Sequence, residues 1–123
     1  MKYVKENAKM LTLCDFVGWS ESQIKEHLVK NYEATQPEVD RFNILIAYEN
    51  EDCYDGNSAF LLEDKTTGDL FEVHAAHCSC YGYEGQFEPE STTAEYLLSN
   101  FSGFYNHQDE AKKWVTENIR LTS

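Results

Sequence analysis

The sequence predicts an α+β fold, a three-stranded antiparallel β-meander flanked by N-terminal and C-terminal α-helices. Two observations carry this. FNILIAYE, SAFLLED and LFEVHAA, in the middle of the chain, are short runs of β-branched and aromatic residues separated by turn formers. The stretches on either side space their apolar residues at helical intervals and contain capping signals. With 123 residues, 41% hydrophobic and 14% aromatic, the chain is sized and composed for a single domain, 1–123, around one core.

Met1 to Phe16 spaces Val4, Ala8, Leu11 and Leu13 roughly as a helix would, and Gly18 should end it. Ser20-Glu21-Ser22-Gln23 is a capping box, in which the Ser20 hydroxyl and the Gln23 side chain each satisfy a free backbone amide. Ile24, Leu28 and Tyr32 then line one helical face, and Pro37 is expected to close the region. In the first strand Phe42, Ile44, Ile46 and Tyr48 alternate onto one face. Asp55-Gly56 and Lys65–Asp69 are turns. In the third strand Phe71, Val73 and Ala75 oppose Glu72 and His74. One sheet face is expected to carry the helices and the other to be rich in acids. Thr92 with Glu95 reads as a second capping box, and Gln108–Ile119 as a last helix burying Ala111, Trp114, Val115 and Ile119.

Charge is the most informative functional signal. The net charge is −12, and between residues 47 and 97 twelve acids stand against Lys65 alone. Such a surface repels nucleic acid and anionic membranes, so neither is expected as a direct partner. No apolar run is long enough to span a bilayer, and the N-terminus has no apolar segment of the signal-peptide kind, so a cytoplasmic chain with reduced thiols is expected.

The densest cluster of reactive side chains is HAAHCSCYGYEGQFEP, residues 74–89. His74, His77, Cys78 and Cys80 are zinc-type ligands. On an extended strand, however, His74 and Cys78 lie about 13 Å apart and His77 points the other way. A cysteine nucleophile needs a cationic neighbour, and this neighbourhood is acidic. The tyrosines and glycines suit a turn that pins a loop, with Gly82 and Gly85 at positive φ and Tyr81, Tyr83 and Phe87 on the core. The expectation is no catalytic residue, no cofactor and no metal.

The run His77-Cys78-Ser79-Cys80-Tyr81-Gly82-Tyr83-Glu84-Gly85-Gln86-Phe87-Glu88-Pro89-Glu90 resembles a motif of small bacteriophage and prophage proteins, with an aromatic kept at Phe87. The similarity covers roughly Ala59 to Leu98. It carries no assigned chemistry; it implies a mobile genetic element in a bacterial host cytoplasm. Charge and resemblance together predict a non-enzymatic inhibitor of a host nucleic-acid-handling protein, of the anti-CRISPR or anti-restriction type. It would occupy a basic groove through Glu49, Glu51, Asp52, Asp55, Glu63, Asp64, Asp69 and Glu72. Two other readings are a zinc-binding or thiol-dependent protein built on the His74–Cys80 cluster, and an accessory interaction module without inhibitory action. A homodimer through a sheet edge is compatible with the pattern.

Overall fold

The computed structural model describes residues 3–5, 9–51, 55–78 and 82–121, with residues 3–5 described by backbone pairing alone. The fold is α+β, built on a mixed five-stranded sheet with helices on both faces.

Strand β2 (Leu11–Cys14) runs parallel to β3 (Phe42–Glu51), and the two are joined through helices α1 (Glu21–Asn31) and α2 (Gln36–Asp40). Strands β4 (Gly56–Asp64), β5 (Leu70–His77) and β6 (Glu90–Thr92) continue the sheet antiparallel, in the order β2-β3-β4-β5-β6. The predicted meander is therefore present as β3-β4-β5, extended by one strand on each side. Helix α3 (Ala94–Asn100), a 3₁₀ turn (Tyr105–His107) and helix α4 (Gln108–Asn118) follow. Strand β7 (Ile119–Leu121) then pairs antiparallel with β1 (Tyr3–Lys5).

The expected N-terminal helix over Met1–Phe16 is replaced by β1 and β2. Leu11 and Leu13 flank Thr12 with the period of a strand, and four residues of pairing to β3 favour that choice. Phe16, beyond the strand, is fully buried. Pro37 also acts differently from expectation. It stands in the first turn of α2, where its missing N–H costs nothing, behind a Thr35/Glu38 capping box. The Ser20/Gln23 box on α1 forms as predicted, whereas α3 is capped one residue later than expected, by Thr93.

Among the described residues, neither face of the sheet is open and acid-rich. Phe16, Ile24, Leu28, Tyr32 and Val39 cover one side. Leu97, Phe104, Ala111, Trp114 and Val115 cover the other. A bulge between Ile44 and Ile46 reverses the alternation along β3. Phe42 and Ile44 consequently face α1 and α2, while Ile46 and Tyr48 face α3 and α4, instead of all four sharing a side. With both sides covered, β3 reads as a nearly continuous apolar run.

The loop after β5 is held from several directions. Gly85 N–H donates to the Tyr32 carbonyl, closing the loop onto the end of α1. The Gln86 side chain accepts from Ala76 N–H and donates to the Gly82 carbonyl, covering the β5 edge beyond β6. Tyr83 and Phe87 are buried, as the pinning reading requires; Tyr81 lies outside the described residues. Gly85 has φ +73°, and Gly82 is not among the positive-φ glycines.

Candidate binding site at the carboxyl end of the parallel strands

Because β2 and β3 are parallel, the loops that follow both emerge at one end of the sheet, where β4 begins and β5 ends. In open sheets with parallel strands this end is the usual place for ligands. Among the described residues, two of the three non-glycine residues with positive φ belong to it: Cys14, paired with Glu49, and Tyr105, stacked on Tyr48 at 5.8 Å.

Glu49 organises the site. It is 5% exposed. The Tyr32 hydroxyl donates to its Oε1 at 2.6 Å, and His27 Nε2 stands 3.1 Å from both carboxylate oxygens. Asn31 Nδ2 donates to His27 Nδ1 at 2.9 Å, so this network is satisfied by the tautomer with the proton on Nε2. The Tyr32 hydroxyl is also 2.8 Å from Ser58 Oγ. Burial, then the charge of Glu49 and the hydrogen bond to it, hold the Tyr32 pKa far above its ordinary value, so the phenol stays a donor.

Tyr83 stacks on Tyr32, with ring centroids 4.6 Å apart and planes 2° from parallel. Burial, followed by the charges of Glu49 and Glu51, raises its pKa strongly. His77 stands edge-on to Tyr83 and places Nε2 2.8–2.9 Å from the Glu51 carboxylate oxygens. Its Nδ1 is 3.0 Å from the Cys78 carbonyl oxygen. Both neighbours accept only, so whichever ring nitrogen carries the proton donates to one of them.

Gly56 makes this convergence possible. A Cβ there would lie 2.6 Å from His77 Nε2, 2.7 Å from Tyr83 Oη and 3.0 Å from Glu51 Oε2. Above these groups opens a cleft of about 340 Å³, bounded by His27 and Lys30 of α1, the ends of β3 and β5, and Glu84. Asp15, Glu51, Asp55 and Glu84 are exposed at this end. Lys30, the one Lys or Arg among the described residues lining the cleft, is ion-paired with Glu26 at 3.3 Å.

The eight acids read from the sequence do not form one surface. Glu51 and Asp55 are exposed at this end, Glu49 is buried beneath it, and Asp52 lies outside the described residues. Glu63, Asp64 and Asp69 stand at the opposite end of β4, about 26 Å away at 3.3 Å per residue. Asp64 is turned inward. It accepts from Arg41 Nε at 2.7 Å and from the Thr66 and Thr67 amides, which together hold its pKa down to about 2. Glu72 is buried on the α3 side, 3.0 Å from His74 Nε2. His74 and His77 lie on opposite faces, following the strand parity. Cys78 is exposed, and Cys80 lies outside the described residues. Among the described residues no three His, Cys, Asp or Glu side chains are arranged to hold a metal ion, and no helix is long and apolar enough to cross a membrane.

Sequence reasoning missed His27, Tyr32 and Tyr83 as members of one constellation, and Asp15 and Glu84 as parts of its rim. The helical spacing of His27 and Asn31 was the one local signal available, and it does not say what the pair faces. No protein-family model matches the chain, and none of the curated proteins or solved structures compared with it is similar.

Proposed function

We propose that the protein is a small acidic binding protein that docks this end of its sheet onto a basic surface of a nucleic-acid-handling protein, as an inhibitor of the anti-CRISPR or anti-restriction type. The observation that carries the reading is the set of exposed carboxylates at this end of the sheet, Asp15, Glu51, Asp55 and Glu84, of which Glu51 and Glu84 line a cleft whose lysine is already paired. Fixed carboxylates on a rigid frame compete with phosphates for a Lys/Arg groove, and electrostatic steering speeds the encounter. Two apolar side chains adjoin the acidic end. Val17 is 66% exposed, and Trp19, 36% exposed, meets His27 edge-on at 5.4 Å. A partly exposed tryptophan beside a charged rim suits an interface anchor.

The test compares two charge-reversal variants in capture from a bacterial lysate that contains defence nucleases, followed by assay of the captured nuclease. Glu51→Lys/Asp55→Lys/Glu84→Lys should abolish capture and inhibition while Tm stays within a few degrees of wild type. Asp40→Lys/Asp69→Lys, at the opposite end, should leave both intact. Equal losses in the two variants, or capture by the triple variant in high salt, would refute docking through this end. Capture without inhibition would leave an accessory module in place of an inhibitor.

A further inference from the structure

We propose that the cleft beside Gly56 is a guanidinium site, receiving one arginine side chain of the basic partner, with Tyr83 and Glu51 as the residues that bind it. The inference rests on the docking reading above and names the group recognised. Its starting point is the Tyr83 hydroxyl. Tyr83 is 5% exposed, and its Oη has no hydrogen-bond partner among the described residues. A buried hydroxyl left in this way costs about 1–3 kcal/mol, a penalty that a ligand supplying the missing bond removes.

The surroundings select the ligand. An anion would meet Glu49, Glu51 and Glu84, and an apolar group would leave Oη unpaired. Glu49 is already engaged by Tyr32 and His27 and acts on the cleft through its charge. Glu51, paired with His77 Nε2 and with half of its side chain exposed, is the carboxylate that can also accept from a guest. Glu51 Oε2 and Tyr83 Oη, together with His77 Nε2, all lie within 3.0 Å of one point, the position a Cβ on residue 56 would take, so both acceptors can be approached by one group. One planar fork of N–H donors reaches two acceptors so placed, whereas an ammonium presents a point charge without that match.

The test titrates isotopically labelled protein with N-acetyl-arginine amide and with its citrulline counterpart, which has the same shape and no charge. Arginine amide should shift the backbone signals of Glu51, His77, Tyr83 and Glu84, and citrulline amide should not. Tyr83→Phe, which deletes an unpartnered hydroxyl and should fold as well as wild type, should weaken arginine binding by about 5–10-fold. Glu51→Gln should weaken it by at least as much. Equal responses to the two probes, arginine shifts scattered away from the cleft, or wild-type affinity in Tyr83→Phe would each overturn the site. If partner capture is sensitive to the triple charge reversal while the arginine titration is silent, docking stands and the guanidinium site falls. If arginine binds in the cleft and no partner is captured, the guanidinium site stands and docking falls.

Discussion

Replacing Gly56 by alanine tests the geometry on which the site depends, because two opposing effects differ in sign there. Gly56 begins β4 and is not among the glycines with positive φ. Backbone entropy alone therefore predicts that alanine stabilises by about 0.5–1 kcal/mol. Packing predicts the reverse. To regain the 3.4 Å of ordinary contact, His77 must retreat about 0.8 Å and Tyr83 about 0.7 Å from the new methyl. Glu51 is half exposed and gives way easily, but the His77 side chain is 8% exposed and Tyr83 is stacked on Tyr32. Overpacking of this kind costs about 1–3 kcal/mol. The net expectation is a loss of about 1–2 kcal/mol, or a fall in Tm of roughly 4–10 °C for a chain of this size. Thermal and urea unfolding at neutral pH measure it. Combining Gly56→Ala with Tyr83→Phe should recover part of the loss, since one of the three obstructing atoms is gone. A Tm equal to or above wild type in Gly56→Ala would show that the three polar groups do not converge on this residue.

Two further outcomes follow from the network. Tyr32→Phe removes the donor to Glu49 and a partner of Ser58. It should cost about 1.5–3 kcal/mol, seen as a lower urea midpoint at unchanged slope, and an unmoved midpoint would contradict the network. Asp64 supplies an acid limb to stability. Its pKa is about 2 in the folded chain, chiefly through Arg41, and the unfolded value is higher, so the unfolded chain binds more protons between the two. The contribution of Asp64 is therefore present above the unfolded value and lost as pH falls through about 2. Urea midpoints measured between pH 5 and pH 2 should fall less steeply in Arg41→Met than in wild type; parallel curves would remove Arg41 as the cause.

Much of the scaffold was legible locally. The Ser20/Gln23 box, the turn at Lys65–Asp69 and the alternation of Phe71, Val73 and Ala75 against Glu72 and His74 each rest on a few neighbouring residues, and each is present. In the loop of residues 82–89 the burial of Tyr83 and Phe87 and the positive φ of Gly85 were readable for the same reason, whereas Gly82 is not among the positive-φ glycines. Asp15 escaped notice because its partner, the amide of Glu51, is thirty-six residues away.

The α+β class, the central meander and the excess of negative charge follow from the chain alone, since periodicity, turn residues and composition are properties it has before it folds. That Leu11–Cys14 is a strand depends on long-range packing, because the pairing energy comes from β3. The same packing sets which carboxylates serve the surface. A single bulge at Ile44/Ile46 resets the faces of β3, and the helices cover both sides. Glu49 is thereby buried beneath Tyr32 and His27, while Glu51, two residues on, is left half exposed at the cleft. Side-chain burial depends on register and on what lies across it, and neither is written in the residues adjacent to a carboxylate.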